Sequence, residues 1–419
     1  MTALLNEQEK PTSLHYKILF LSWAGWVFDF YDLVLYTFLL IPIGVEMGLD
    51  NIRLSWILGA SLAATALGGV VFGVLSDQIG RKKVLQLTIV VYSAGTLLSG
   101  LSWGIWSLIF FRIITGLGVG GEWAAGQTFV GETFHPKVRG KYAALMQTGA
   151  PVGVALASVV GGLLGPEIGW RSCFVLSGLP ALMVIYIRTG LPESDVWLES
   201  QRKGVQLKTS QLFADFIKKF LHLFSPEIRK HFLMSFILTA LGLSAYWLTY
   251  SWMPGYLYQQ RHFTMIKSAA WILVTQSGGF LGYLSFGFVA DRLGRRPAFS
   301  IYSALMALGL AMITVFWDVV AQSAPVALGF MFMVGFGTGF FSGFGPVFAE
   351  LFPTSIRNTA MGSAFNLARG IQFFTPVVVA TIAAKYGLGG GIFLASFFAL
   401  LTGAWIWAFP ETKGKALDS

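Results

Sequence analysis

Twelve apolar runs of about twenty residues each follow one another along the chain. They lie near 18–43, 54–76, 84–103, 105–131, 142–165, 171–190, 231–257, 268–290, 298–317, 325–349, 358–384 and 389–409. A helix rises ~1.5 Å per residue, so each run is long enough for the ~30 Å hydrocarbon core of a bilayer. No water is available there, and each main-chain N–H and C=O must bond within its own segment, which makes every run a helix. Composition agrees: 55% of the 419 residues are hydrophobic and 12% are charged, where soluble domains carry about 25% charge. The sequence thus predicts an all-α, multi-pass membrane protein with the bilayer as its first partner. The opening residues are polar and the first apolar run is too long for a signal-peptide core, so no cleaved leader is expected.

The charges orient the bundle. Of the 29 Lys and Arg, 22 fall in segments on the side of the N-terminus; Arg53, Arg171, Arg261, Lys267 and Lys385 lie opposite, and Arg112 and Arg369 fall inside spans. By the positive-inside rule both termini are expected in the cytoplasm, in an inner or plasma membrane. The net charge of +9 is then topological, and no nucleic-acid partner is expected. The lone Cys173 excludes an internal disulfide and a multi-cysteine metal site; its expected role is packing.

The chain also repeats itself. GVLSDQIGRKK from Gly73 returns as GFVADRLGRRP from Gly287, GETFHPKVRG as AELFPTSIRN, and LPES at Leu191 as FPET at Phe409. Three motif pairs in the same order and at nearly one offset divide the chain into a six-helix bundle over 1–190, a linker over 191–230 and a second six-helix bundle over 231–419. Parallel repeats of this kind suit alternating access, in which one half rocks against the other around a central site. In the linker, Ser210 is a candidate cap for an amphipathic helix with Phe213, Phe216, Ile217, Phe220 and Phe224 at helical spacing, read as a tether. The repeated loops place Asp77, Arg81, Glu132 and Arg139 in one half, and Asp291, Arg295, Glu350 and Arg357 in the other, at the cytoplasmic ends of spans. Acids at helix ends beside Arg suit a charge network that holds one state shut, or plain capping and anchoring.

The paired G-x-x-x-D-x-x-G-R-[KR] loops, RIITGLGVGG from Arg112 and the PES and PET endings resemble the major facilitator superfamily, over the whole chain. LPES and PETKG are similar to the sugar porters; GGEW at 120–123, ETFHPKVRGKYAALMQTG and FDFYD are similar to the sialate:proton and related metabolite:proton symporters. The resemblance implies a twelve-helix fold in two pseudo-symmetric halves and proton-coupled transport, with organic acids as the main substrates of the latter group.

Buried ionisable groups carry the chemistry. Asp32 lies about fourteen residues into the first span and Arg112 about seven into the fourth, which enters from the other side, so both sit ~10 Å below the external boundary. At one depth they are expected to pair, and a buried carboxyl deprived of its cation favours the protonated form. Sugar-porter relatives imply that coupling role for Asp32 and Arg112; a static pair serving folding is the other reading. Asp29, three residues before Asp32, shares its helical face, and two carboxyls so close do not both ionise easily. Glu122, ten residues beyond Arg112, is either a second proton site or a partner for a cation.

Arg369 in NLARGIQ is flanked by Asn366 and Gln372 at i−3 and i+3. A guanidinium between amides suits a carboxylate, which it binds bidentately; the alternative is a pair with Glu122 or Asp29. Tyr36, Tyr246 and Tyr250, with Gln147 and Gln276, are candidate cavity residues. Trp252, Tyr256 and Tyr258 near Pro254 read as an interfacial belt. The tenth span, VGFGTGFFSGFGP, has glycines that suit bending or close sliding. GGLLGPEIG at 161–169 resembles a drug-antiporter signature, but here it runs into Trp170-Arg171 as a turn. No nucleotide loop, H-E-x-x-H or Ser/His pairing within spans is present, which argues against an enzyme. The sequence therefore predicts a monomeric proton-coupled importer of a small organic anion, without cofactor or metal, driven by the proton gradient. A sugar or polyol symporter and a drug or metabolite antiporter are the alternatives.

Overall fold

The computed structural model describes residues 5–8, 10–179, 190–202, 214, 217–218, 220–352 and 356–411. All regular structure among them is helical. In the first half lie α1 (Ser13–Met47), α2 (Asn51–Ile79), α3 (Arg81–Gly100), α4 (Ile105–Thr133), α5 (Pro136–Gln147), α6 (Gly149–Ala157) and α7 (Gly165–Leu176). A linker helix, α8 (Asp195–Arg202), precedes the second half: α9 (Arg229–Tyr250), α10 (Met265–Leu293), α11 (Arg295–Thr314), α12 (Ala324–Gly337), α13 (Phe344–Ala349), α14 (Arg357–Gly370) and α15 (Thr375–Trp405).

Among the described residues, ten helical stretches are long and apolar enough to cross a bilayer, and two of them hold two spans each. Lys141–Leu176 bends at Gly169 (φ 78°) and Thr359–Ala408 bends at Gly387 (φ 71°). These are matching places in the two halves, and the left-handed backbone there suits only glycine. The twelve expected spans are accounted for on this basis, the sixth running on into residues outside those described. The Gly-Pro string at 161–169 is helical up to Ile168 and continues the fifth span, the turn to the sixth falling at Gly169 alone.

Local chemistry sets the ends. Asp50 accepts the amide of Arg53 at 2.7 Å to begin α2, and Thr264 accepts that of Lys267 at 3.1 Å to begin α10, each satisfying an orphan donor. Inside each half, glycines bring two helices to backbone contact. A Cβ on Gly120 of α4 would lie 1.9 Å from the Thr65 carbonyl oxygen of α2. One on Gly335 of α12 would lie 1.6 Å from that of Thr275 of α10. The tenth span is tightened at Thr338–Gly343 into a 3₁₀ turn, where its glycines cluster. Most of the expected amphipathic helix, including Ser210, Phe213 and Phe216, lies outside the described residues; Phe220 and Phe224 pack edge to face 5.5 Å apart, with Phe224 on Phe232 of α9.

Candidate transport site

The halves meet along two seams, α1 and α2 against α9, α14 and α15, and α5 and α6 with the stretch 158–164 against α10. Phe30 stands edge-on to Tyr246 at 5.8 Å, Trp56 stacks near Phe373, and Trp252 Nε1 donates to Ser55 Oγ at 3.0 Å and to the Pro376 carbonyl at 3.2 Å. Above Trp252, on the face away from the chain termini, a cleft of about 630 Å³ opens between Asp50–Ile52, Gln259–Gln260 and α15.

At the midpoint Arg369 Nη2 donates to Asp29 Oδ2 at 3.2 Å, joining α14 to α1 across the two halves. Both side chains are buried. The pair is single-pronged: Asp29 Oδ1 and Arg369 Nη1 make no hydrogen bond. Trp26 and Phe30, one turn before and one residue after Asp29, lie 5.7 and 5.8 Å from the guanidinium carbon, within cation–π reach. They also line a nearly closed cavity of about 10 Å³ with Gln147, Ala150, Leu243, Tyr246, Tyr283, Phe341 and Phe365. Six of these nine walls are aromatic rings and one is an amide.

The other expected cavity residues divide. Gln147 and Tyr246 line the cavity. Tyr250 packs on Tyr246 at 4.5 Å and stands beside Gln276. Asn366 packs on Gly69 of α2, where a Cβ would lie 2.6 Å from its amide. Gln372 is engaged with its own half: Oε1 accepts from Ser244 at 3.0 Å, and Nε2 donates to the Ala368 and Ala240 carbonyls. Tyr36 is turned into the first half, donating to the Leu54 carbonyl at 3.2 Å and facing Arg112.

The expected ion pair of Asp32 with Arg112 does not form. The two residues are adjacent, as their depths require, but Arg112 Nη2 donates to the main-chain carbonyl of Asp32 at 3.0 Å. Its plane stands over Tyr36 and Phe174 at 5.5 and 5.8 Å. Neither carboxylate oxygen of Asp32 makes a hydrogen bond of ordinary geometry; Thr96 lies beside it, but that hydroxyl is shared with Thr115 at 3.3 Å. The carbonyl sits on the helix axis side reachable from α4, and the ring faces of Tyr36 and Phe174 hold the guanidinium there. Glu122 accepts from Thr88 Oγ1 at 2.7 Å and presses on α1 at Gly25, where a Cβ would lie 1.9 Å from its Oε1. Asp29, Asp32, Glu122, Arg112 and Arg369 form one buried cluster of three acids and two cations.

On the face that carries the termini, the repeated motifs build two matching clasps. Arg81 pairs with Glu132 at 2.8 Å, and Arg295 with Glu350 at 3.2 Å and Asp291 at 2.6 Å. In each half a further glutamate, absent from the expected set, caps the third or ninth span. Glu193 accepts the amides of Arg81 and Lys82 at 2.9 and 3.0 Å, and Glu411 those of Arg295 and Arg296 at 2.9 and 3.1 Å. Lys82 and Arg296 then donate back to the Leu191 and Phe409 carbonyls. Gly80 and Gly294, at φ 100° and 103°, leave room for these carboxylates. The signal was present in the LPES and FPET repeat. The ion pairs described at this face each join residues within one half; the side chains of Asp77, Arg139 and Arg357, through which the expected network would run, lie outside what the structure describes.

Two six-helix halves around buried charges at the midplane define a membrane transport protein of the major facilitator fold. The chain belongs to the Sugar (and other) transporter family, whose model matches residues 7–419. It is 32% identical over 411 residues to a Haemophilus influenzae protein provisionally named a metabolite transport protein, covering 98% of this chain and 99% of that one. It is 29% identical over 388 residues to the sialic acid transporter NanX of Escherichia coli, covering 92% of each. A crystal structure of a D-xylose–proton symporter superposes with TM-score 0.75 at 20% identity, over 97% of this chain and 100% of that one, which shows the shared fold. Relatives and fold neighbours alike are transporters, and the protein is not an enzyme.

Proposed function

We propose that the protein imports a small organic carboxylate together with a proton across an inner or plasma membrane, both termini being cytoplasmic. The observation that carries this reading is the single-pronged Asp29–Arg369 pair, whose guanidinium lies against Trp26 and Phe30, two walls of the central cavity. An incoming carboxylate that takes both Nη groups of Arg369 makes a bidentate contact, stronger than the one Asp29 makes. Asp29, displaced into an apolar wall, then takes up a proton rather than remain a buried unpaired charge. One acid and one proton thus load together. Asp32, Arg112 and Glu122 hold the proton-conducting side of the cluster within the first half. A proton moving inward gains about 2.3 kcal/mol per 100 mV, so no cofactor is needed.

The cavity wall bears on the substrate's body. A polyol needs several amide or hydroxyl partners, and the six rings with one amide suit an acid with a flat or apolar body instead. The name of the sialic acid relative supports an acid in general. The test is uptake into proteoliposomes of labelled lactate, pyruvate, sialic acid, hydroxybenzoate and xylose, with and without an imposed pH gradient. Accumulation of an acid that collapses without the gradient is expected, hydroxybenzoate leading. Xylose uptake with no acid transport would sink the carboxylate reading, and acid uptake indifferent to the gradient would sink the proton.

A further inference from the structure

Three hydroxyl side chains on α3 flank the buried acids. Thr88, Tyr92 and Thr96 recur at i, i+4 and i+8, so they form one stripe on one helical face, and all three are fully buried. None lines the central cavity. At one end Thr88 Oγ1 donates to Glu122 Oε2 at 2.7 Å. At the other Thr96 lies beside Asp32. Between them Tyr92 packs on α4 so closely that a Cβ on Gly118 would lie 2.5 Å from its amide nitrogen. Its phenol lies within electrostatic range of Glu122, Asp32 and Asp29, yet its hydroxyl makes no hydrogen bond. Glu122 Oε1 is likewise unbonded, on the side facing Gly25, one turn from Asp29. The charged groups around the stripe are Asp29 and Asp32 from α1, Glu122 and Arg112 from α4, and Arg369 from the opposite half.

A buried hydroxyl without a partner is destabilising, and phenylalanine would fill this space at no such cost. We infer that α3 is a proton relay inside the first half, in which the Tyr92 hydroxyl passes a proton between the Asp32 and Glu122 carboxyls, apart from the substrate's own path. The inference rests on the proton-coupled reading above. In the step, the Asp32 O–H bond breaks as a bond forms to the phenol oxygen, while the phenol's own proton passes to Glu122 Oε1. Rotation of the hydroxyl restores the start, with no charge left over. The open hydroxyl in the present arrangement is the broken link, closed by rotation of the Asp32, Tyr92 and Glu122 side chains within the half. From Thr96 to Thr88 the stripe covers about 12 Å along the helix axis, carrying the proton from the depth of Asp32 toward the face of the termini.

The experiment uses the full-length protein in proteoliposomes and the panel acid that wild type accumulates most. Gradient-driven accumulation and lumenal acidification, read with a trapped pH dye, are compared with acid-for-acid exchange in the absence of a gradient. Tyr92→Phe is expected to lose about tenfold or more of the gradient-driven accumulation and acidification, while exchange stays within about twofold of wild type. Thr88→Val weakens the same two readouts less. Tyr92→Phe that accumulates and acidifies like wild type overturns the relay, and so does an equal loss of exchange and accumulation in a variant with the wild-type melting temperature. If Tyr92→Phe melts early, Thr88→Val carries the same comparison, with the smaller loss of accumulation and acidification against unchanged exchange. A wild type that moves acid without protons defeats the coupled reading itself and the relay with it, an outcome visible before any variant is made.

Discussion

Arg369 and Arg112 are both guanidiniums sunk in the middle of the bundle, and they are held in opposite ways. Arg369 reaches across the halves to a carboxylate and keeps one arm unbonded, its guanidinium lying against the rings of Trp26 and Phe30. Arg112 stays within its half, on a main-chain carbonyl and between two rings. A contact between halves is remade each time they rock, whereas a contact within one half travels with it as a rigid body. The difference assigns the competition with substrate to Arg369 and Asp29. Arg112 is left to fix the field around Asp32.

The largest effect expected follows from breaking the pair across the halves. Arg369→Gln leaves Asp29 buried without its cation, a loss of about 3–5 kcal/mol, and should lower acid uptake by about 100-fold or more. Asp29→Asn combined with Arg369→Gln should recover most of the melting temperature, because deleting both charges removes the unpaired one, but not the uptake. Thermal melts of the two singles and the double decide it: additive losses would mean that the pair is not coupled, and the contrast with Arg112 would fall.

The next effect is on pH. If the bound state holds one proton more than the free state, binding strengthens as pH falls. The apparent Kd of the panel acid should then rise with pH by up to about tenfold per unit. Asp29→Asn, which cannot exchange that proton, should flatten the slope. Binding measured by equilibrium dialysis across about pH 5 to 8 checks both. A slope unchanged in Asp29→Asn but lost in Asp32→Asn would move the competition from Arg369 to Arg112.

How far the sequence could see this depends on the kind of contact. Span number and the matching cytoplasmic loops were legible because each rests on a local property, apolar length or repeated loop chemistry. The depths of Asp32 and Arg112 were legible too, since rise per residue is fixed, and the residues do touch. What depth cannot give is azimuth: Arg112 meets the carbonyl of Asp32 rather than its carboxylate because Tyr36 and Phe174 set its approach. Arg369 and Asp29 are 340 residues apart, so their pairing stood only as one alternative. Trp26 and Phe30 were in view on either side of Asp29, but nothing local distinguishes a ring at a cavity wall from one in the core. Gln372 shows the converse, an amide in a promising pattern that is engaged with its own half.

A smaller effect is expected of Arg112→Lys. Lysine keeps the charge but loses the planar fork and the stacking on two rings. Stability should fall by about 1–3 kcal/mol, with acid affinity staying within a few-fold. If Arg112→Lys abolishes binding as Arg369→Gln does, the two arginines are functionally alike, and the division drawn from their contacts is wrong.

The smallest effect belongs to the clasps, which give the comparison its control. Glu193 and Glu411 occupy matching places, each accepting two amides at the start of a span. Replacing either by Gln keeps an acceptor but removes the charge from a helix N-terminus, worth about 0.3–1 kcal/mol. Because the two sites share donors, geometry and a glycine at positive φ, Glu193→Gln and Glu411→Gln should shift the melting temperature by nearly equal amounts. The arginine variants should not, since the duplication that copied the clasps left no copy of the Asp29–Arg369 contact within either half. Two clasp variants as unequal as the two arginine variants would show that the halves differ throughout, so that asymmetry alone could not mark the transport site.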